Sequence, residues 1–177
     1  MKNSNVKVIW ITGLSGSGKT TIAKKLTFLL RKAGKPVVML DGDSLREAFG
    51  TLVDNKKQFT FKSRLELAAC YAKMCKQIAS QGIYVVIATI SMFHKIQKWN
   101  RNNLPGYYEV FLDVPFDELK KRDTKKLYKI NNSKKNLEVV GLGILAEKPL
   151  SPNMVIEYNP KKSITEIVNH LFINIEK

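Results

Sequence analysis

The chain has 177 residues, 44% of them hydrophobic, enough for one substantial core and too few for two independently folding units. Its net charge of +15 raises a nucleic-acid role, but the lysines are spread along the chain beside asparagines, with no aromatic-interleaved RNA-binding motif and no zinc-finger spacing. The reading is therefore a solvated basic surface that serves a small anionic substrate, with neither nucleic acid nor membrane as partner, and the absence of a long apolar run gives the expectation of a cytoplasmic protein.

The first predicted element is a strand over Val6 to Thr12, in which Trp10 reads as core. Directly after it, Gly13, Leu14, Ser15, Gly16, Ser17, Gly18, Lys19 and Thr20 fit G-x-x-x-x-G-K-[ST], and a helical pattern begins at Thr21. Glycines let the backbone turn its amides toward phosphate oxygens, and the helix that follows offers unpaired amides at its positive end. These residues are the expected ATP site, with Lys19 bridging the β- and γ-phosphates and the Thr20 hydroxyl placed for Mg²⁺.

A second strand, Pro36 to Leu40, leads into Asp41, Gly42, Asp43, Ser44, Leu45 and Arg46. Two carboxylates and a guanidinium thus follow a strand at the carboxyl edge of the sheet, where ligands bind in such folds. Asp43, with Asp41, is the candidate catalytic carboxylate, and Arg46 is a candidate clamp for an acceptor phosphate. The plainer reading makes Asp43 a helix cap with a surface ion pair.

A helix is predicted from Lys62 to Gln81, its buried stripe drawn by Leu65, Ala68, Ala72, Cys75 and Ile78 and its end set by Gly82. Cys70 and Cys75 fall within it and read as packing residues rather than redox groups. Strands follow at Ile83 to Thr89, Tyr107 to Leu112 and Met154 to Glu157. His94 reads as a surface or helix histidine in preference to a substrate contact, and His170 carries no role. Lys125 to Lys148, rich in lysine and asparagine, reads either as a mobile lid over the site or as an ordinary exposed loop. Ser163 and Glu166 form a capping box for a terminal helix. Alternating strands and helices predict an α/β fold of the P-loop NTPase type, doubly wound, with a mostly parallel sheet covered by helices on both faces and a single unit over 1–177.

Taken together, the segments GLSGSGKTTIAKKL, LDGDSLR, GIYVVIATIS, EVFLDVP and RDTKKLY resemble adenylylsulfate kinases, which phosphorylate the ribose 3′-hydroxyl of adenosine 5′-phosphosulfate, over nearly the whole chain. The resemblance implies ATP and Mg²⁺, with Thr20 and Asp43 at the metal and Asp43 as base. It also implies Arg46, Arg64, Ile90 and Ser91 around the acceptor and Arg122 near the ATP base. Phe59 would stack on the acceptor base, with Lys129 and Val139 contributed by the lid, and the family often forms homodimers.

Departures from the family pattern gather on the acceptor side. Leu67, Ala69 and Cys70 stand where the family carries an asparagine and paired arginines, Met92 stands for a proline, Lys126 for a glycine, and Val139 aligns with a clamp phenylalanine. Losing an amide and two cations weakens the grip on a phosphosulfate. The pattern resembles a divergent branch of the family that phosphorylates cytidine diphosphoramidate, in the synthesis of phosphoramidate-decorated bacterial capsule. The rival readings are a true adenylylsulfate kinase and a non-catalytic nucleotide- or nucleic-acid-binding protein.

Overall fold

The computed structural model describes residues 6–50, 60–122, 128 and 139–177. Strands β1 (Val8–Thr12), β2 (Val37–Asp41), β3 (Tyr84–Ala88), β4 (Tyr107–Asp113) and β5 (Met154–Glu157) form one sheet in the order β2-β3-β1-β4-β5, and every pairing is parallel. Between and after them run α1 (Lys19–Lys32), α2 (Gly42–Gly50), α3 (Phe61–Ala79), α4 (His94–Asn103), α5 (Phe116–Arg122) and α6 (Ile164–Glu176).

Side-chain alternation divides the sheet between two layers of helices. From β1 and β3, Ile9, Ile11, Val86 and Ala88 pack with Ile22 and Leu26 of α1 and Leu171 and Ile175 of α6. Their neighbours Val8, Trp10, Val85 and Ile87 face Ala68, Tyr71, Ala72 and Cys75 of α3 and Ile96 of α4. Trp10 is 1% exposed, so it belongs to the core as expected. The central strands are buried on both sides, which accounts for their continuous apolar sequence. This is the predicted α/β architecture, with strand limits differing from the sequence reading by one or two residues.

Two local expectations needed correction. The α3 stripe is wider than the heptad-like set predicted for it: Leu67 and Tyr71 are buried, while Leu65 and Ile78 are half-buried. The cause is that α3 packs on β3 and α4 and also meets Phe49 of α2, whose ring lies 6.4 Å from that of Tyr71. The helix also starts earlier, because Thr60 accepts the Ser63 amide and caps it. At the chain end the Ser163–Glu166 box forms with both reciprocal bonds.

Candidate active site

All five strands end at one edge, and the loops leaving them build the site. After β1 the chain turns at Gly13, where φ is 149°; a Cβ there would lie 2.8 Å from the Leu112 carbonyl oxygen and 2.9 Å from Ser17 Oγ. Gly18 then caps α1 in a left-handed conformation without any side-chain hydrogen bond, and the first turn of α1 holds no acidic residue. The helix therefore presents its amides to the loop cavity, a ready seat for phosphate. Lys19 Nζ arches back to donate to the Leu14 carbonyl at 2.7 Å. Gly13 and Leu14 shape the loop, Leu14 packing on Gly141, whereas Ser15, Gly16, Gly18, Lys19, Thr20 and Thr21 line the cleft.

The turn after β2 is organised by Asp41. Its Oδ1 accepts the amides of Asp43 and Ser44 at 3.0 and 3.4 Å, and its Oδ2 accepts the Thr20 hydroxyl at 2.7 Å. Asp41, rather than Asp43, is thus the cap of α2, which corrects the plainer sequence reading. Asp43 is left facing the cleft with a 60% exposed side chain, 3.4 Å from Arg46 Nη1. Gly42 makes this arrangement fit, since a Cβ on it would come within 2.9 Å of Thr89 Oγ1.

Beyond β3, Thr89, Ile90 and Ser91 form the opposite wall. Thr12 Oγ1 donates to the Ile90 carbonyl, Thr89 and Ser91 share a hydroxyl contact at 2.8 Å, and Ser91 sits at a φ of 25°. A positive φ at a non-glycine residue is uncommon and marks a backbone held by its surroundings. The resulting cleft, about 470 Å³, brings Lys19, Thr20, Asp41, Asp43, Arg46, Ile90 and Arg122 together.

Two further hollows adjoin it. A cavity of about 20 Å³ lies behind Arg46 and Ile90, lined also by Arg64, Leu67, Tyr71 and Met92. Across the P-loop, a groove of about 350 Å³ runs between Gly18, Arg122, Tyr158, Asn159 and Pro160, with the Arg122 guanidinium 4.9 Å from the Tyr158 ring. The sequence reading named Arg122 but not 158–160, which line the same groove; the Asn-Pro step after the last strand was the available signal.

The segment after α5 is described in part. Tyr128 donates its hydroxyl to the Ser15 carbonyl at 3.0 Å and meets Phe116 edge-on at 5.1 Å. Val139 offers its carbonyl to the amides of Leu142, Gly143 and Ile144, and it is the neighbouring Val140 that reaches the small cavity. Glu147 binds the α4 amino end: its carboxylate accepts the His94 amide, and its carbonyl accepts Gln97 Nε2 at 3.0 Å. His94 also contacts the Lys148 carbonyl at 3.0 Å, the helix role expected for it. Phe59 and Lys129 lie outside the described residues, as does most of 125–138.

The adenylylsulphate kinase family model matches residues 5–157. The chain is 39% identical over 168 residues to a cytidine diphosphoramidate kinase of Campylobacter jejuni, covering 95% of each chain. It is 32% identical to an adenylyl-sulfate kinase of Pseudomonas aeruginosa, covering 98% of this chain and 89% of that one. In structure it matches the Mycobacterium tuberculosis APS kinase CysC in complex with AMPPNP and APS, with a TM-score of 0.83, 26% identity and 97% of each chain covered. On this evidence the chain belongs to the adenylylsulphate kinase family of P-loop phosphotransferases.

Proposed function

We propose that the protein transfers the γ-phosphoryl group of ATP to the ribose 3′-hydroxyl of cytidine diphosphoramidate. The observation that carries the reading is a convergence: Leu67 and Met92, two of the departures from the family pattern, line one small cavity beside Arg46 and Arg64. The acceptor's charged chain would therefore end among apolar groups rather than an amide, while the ATP-binding loop keeps its full motif. The likeness to the Campylobacter jejuni enzyme supports the same acceptor.

In this mechanism the loop amides and Lys19 hold the transferred phosphates, and the adenine lies along the groove beside Arg122. Asp43 takes the proton of the attacking hydroxyl. Arg46 and Arg64 neutralise the acceptor's phosphates, Ile90 and Ser91 bound its sugar, Phe59 stacks on its base, and Lys129 and Val139 come from a lid spanning 125–148 of the single unit. Thr20 and Asp43 suit magnesium, which supplies charge neutralisation on the β- and γ-phosphates when bound. Few protein ligands are needed, because magnesium keeps most of its oxygens from phosphate and water. Among the described residues no cluster of three or more acidic, histidine or cysteine ligands competes for a metal.

The test is ATP turnover with Mg²⁺ against cytidine diphosphoramidate, CDP and adenosine phosphosulfate, with the product phosphate located by phosphorus NMR. Fastest turnover of the diphosphoramidate to a 3′-phosphate is expected. Preference for adenosine phosphosulfate would make this an ordinary sulfate-activating kinase, the reading favoured by the likeness to the Pseudomonas aeruginosa protein. Salt-sensitive polynucleotide binding without turnover would overturn both.

A further inference from the structure

Tyr71 stands out among the residues around the small cavity. It is 2% exposed, and its hydroxyl oxygen is buried with no hydrogen-bond partner among the described residues. Buried hydroxyls nearly always have a partner, so an orphan on a residue that lines a hollow needs an explanation. The hollow, at about 20 Å³, has room for one water-sized atom; a cavity needs roughly 10–15 Å³ to hold one. Its other walls include Leu67, Met92 and Phe93, whose side chains offer no hydrogen bond, and Ser91, whose hydroxyl already shares a contact with that of Thr89 at 2.8 Å.

The chemistry of the walls narrows the occupant. Arg46 and Arg64 carry guanidinium groups, which only donate, whereas a phenol hydroxyl both donates and accepts. An anionic chain drawn in by the two arginines thus meets a phenol hydroxyl that has no partner among the described residues and can bond either an oxygen or an N–H. Burial pushes the Tyr71 phenol up from its ordinary range, opposed by the Arg46 charge, so the hydroxyl keeps its proton and both capacities.

We propose that the Tyr71 hydroxyl holds the terminal heteroatom of the acceptor's phosphate chain, making Tyr71 a specificity-determining contact on the acceptor side. The proposal rests on the reading above in one respect, that the acceptor's charged chain lies against Arg46 and Arg64. An amide nitrogen fits the position, because neither arginine can accept its N–H.

The experiment compares wild-type protein with Tyr71→Phe, which removes only the hydroxyl. The KM for the preferred acceptor should rise about tenfold, the range for one lost hydrogen bond. The KM for ATP should not change, and the melting temperature should not fall, since the free protein loses no bond. The inhibition constant of the matching nucleoside monophosphate, which lacks the terminal group, should stay the same. An unchanged acceptor KM would overturn the proposal and assign the cavity to a trapped water. An equal loss of monophosphate binding would overturn it as well, by placing the hydroxyl elsewhere on the acceptor. Failure of the wild-type protein to use the diphosphoramidate counts against the proposed acceptor alone, and Tyr71 is then judged on the KM of whichever acceptor is turned over.

Discussion

The Thr20 hydroxyl donates to Asp41 Oδ2 at 2.7 Å, while Oδ1 of the same carboxylate accepts the Asp43 amide at 3.0 Å. One side chain thereby sets the start of α1 against the start of α2. Donating to Asp41 also leaves the lone pairs of the Thr20 oxygen turned away from it, available to a cation. Asp41→Ala should cost about 1 kcal/mol through the lost cap, near 3 °C in melting temperature for a chain of this size. It should also lower kcat and raise the KM for ATP together, because both halves of the site lose their common reference. Thermal melting and steady-state kinetics on the same preparation check this, and a variant with normal kinetics would reduce Asp41 to a cap.

Asp43 gives the opposite signature. Its contact with Arg46 is a 3.4 Å pair between neighbouring helix turns with the carboxylate largely in solvent, which adds little to stability. Asp43→Asn should therefore melt within about 0.5 kcal/mol of wild type. Its turnover should fall by roughly 10²–10⁴, the contribution of a positioned general base, with ATP affinity nearly unchanged. Isothermal titration with a non-hydrolysable ATP analogue alongside turnover separates the two quantities, and equal turnover would remove Asp43 from the mechanism.

These two residues show what was legible in the sequence. Local chemistry was: the glycine-lysine loop, the strand runs and the Ser163–Glu166 box all depend on residues a few positions apart, and all appear where read. Which of Asp41 and Asp43 caps and which faces the cleft depends on a hydroxyl 21 residues away. In the same way, Glu147 holds the first amide of α4 across 53 residues, a pairing that no periodicity announces. The orphan Tyr71 hydroxyl was also invisible, because at helical spacing a tyrosine on a buried stripe is indistinguishable from packing.

Gly42 tests how tightly the acidic turn is seated. A Cβ there would lie 2.9 Å from Thr89 Oγ1, 3.1 Å from Thr89 Cβ and 3.2 Å from the Ala88 carbonyl oxygen. The last of these is backbone and cannot swing aside, so Gly42→Ala must push α2 away from β3. Overpacking of this kind costs about 1–3 kcal/mol. Because Asp43 moves with α2, turnover should drop by more than the stability loss explains at a temperature where the variant is still folded, measured by circular dichroism and kinetics under identical conditions.

The two cysteines should separate cleanly in a thiol assay. Cys75 is buried against β1 and β3, and burial pushes its thiol up to about 12. Cys70, one position before Tyr71 on α3, is exposed. Ellman's reagent should titrate one thiol rapidly in the native protein and the second only on unfolding. Rapid reaction of both would mean that α3 does not hold its place on the sheet.

Glu109 is 1% exposed in the middle of β4, where it accepts from Arg101 Nη2 at 2.9 Å and from the Tyr107 hydroxyl at 3.0 Å. Arg101 also donates to the Ser151 carbonyl at 2.8 Å, so the pair ties α4 to the segment entering β5. Burial pushes the Glu109 carboxyl up, and Tyr107 and Arg101 pull it back. Arg101→Met removes one of those pulls and leaves a buried carboxylate short of its cation, a change that costs about 3 kcal/mol, at the lower end because Arg101 is partly exposed. The folded variant then binds a proton on Glu109 at pH values where the unfolded chain has released it. Its stability accordingly falls as pH rises from the unfolded carboxyl range through the raised folded one, then levels off. Urea unfolding at pH 5 and pH 8 should show a larger deficit relative to wild type at pH 8. A deficit independent of pH would mean that the loss comes from the Ser151 contact and the arginine stem rather than from the unpaired charge.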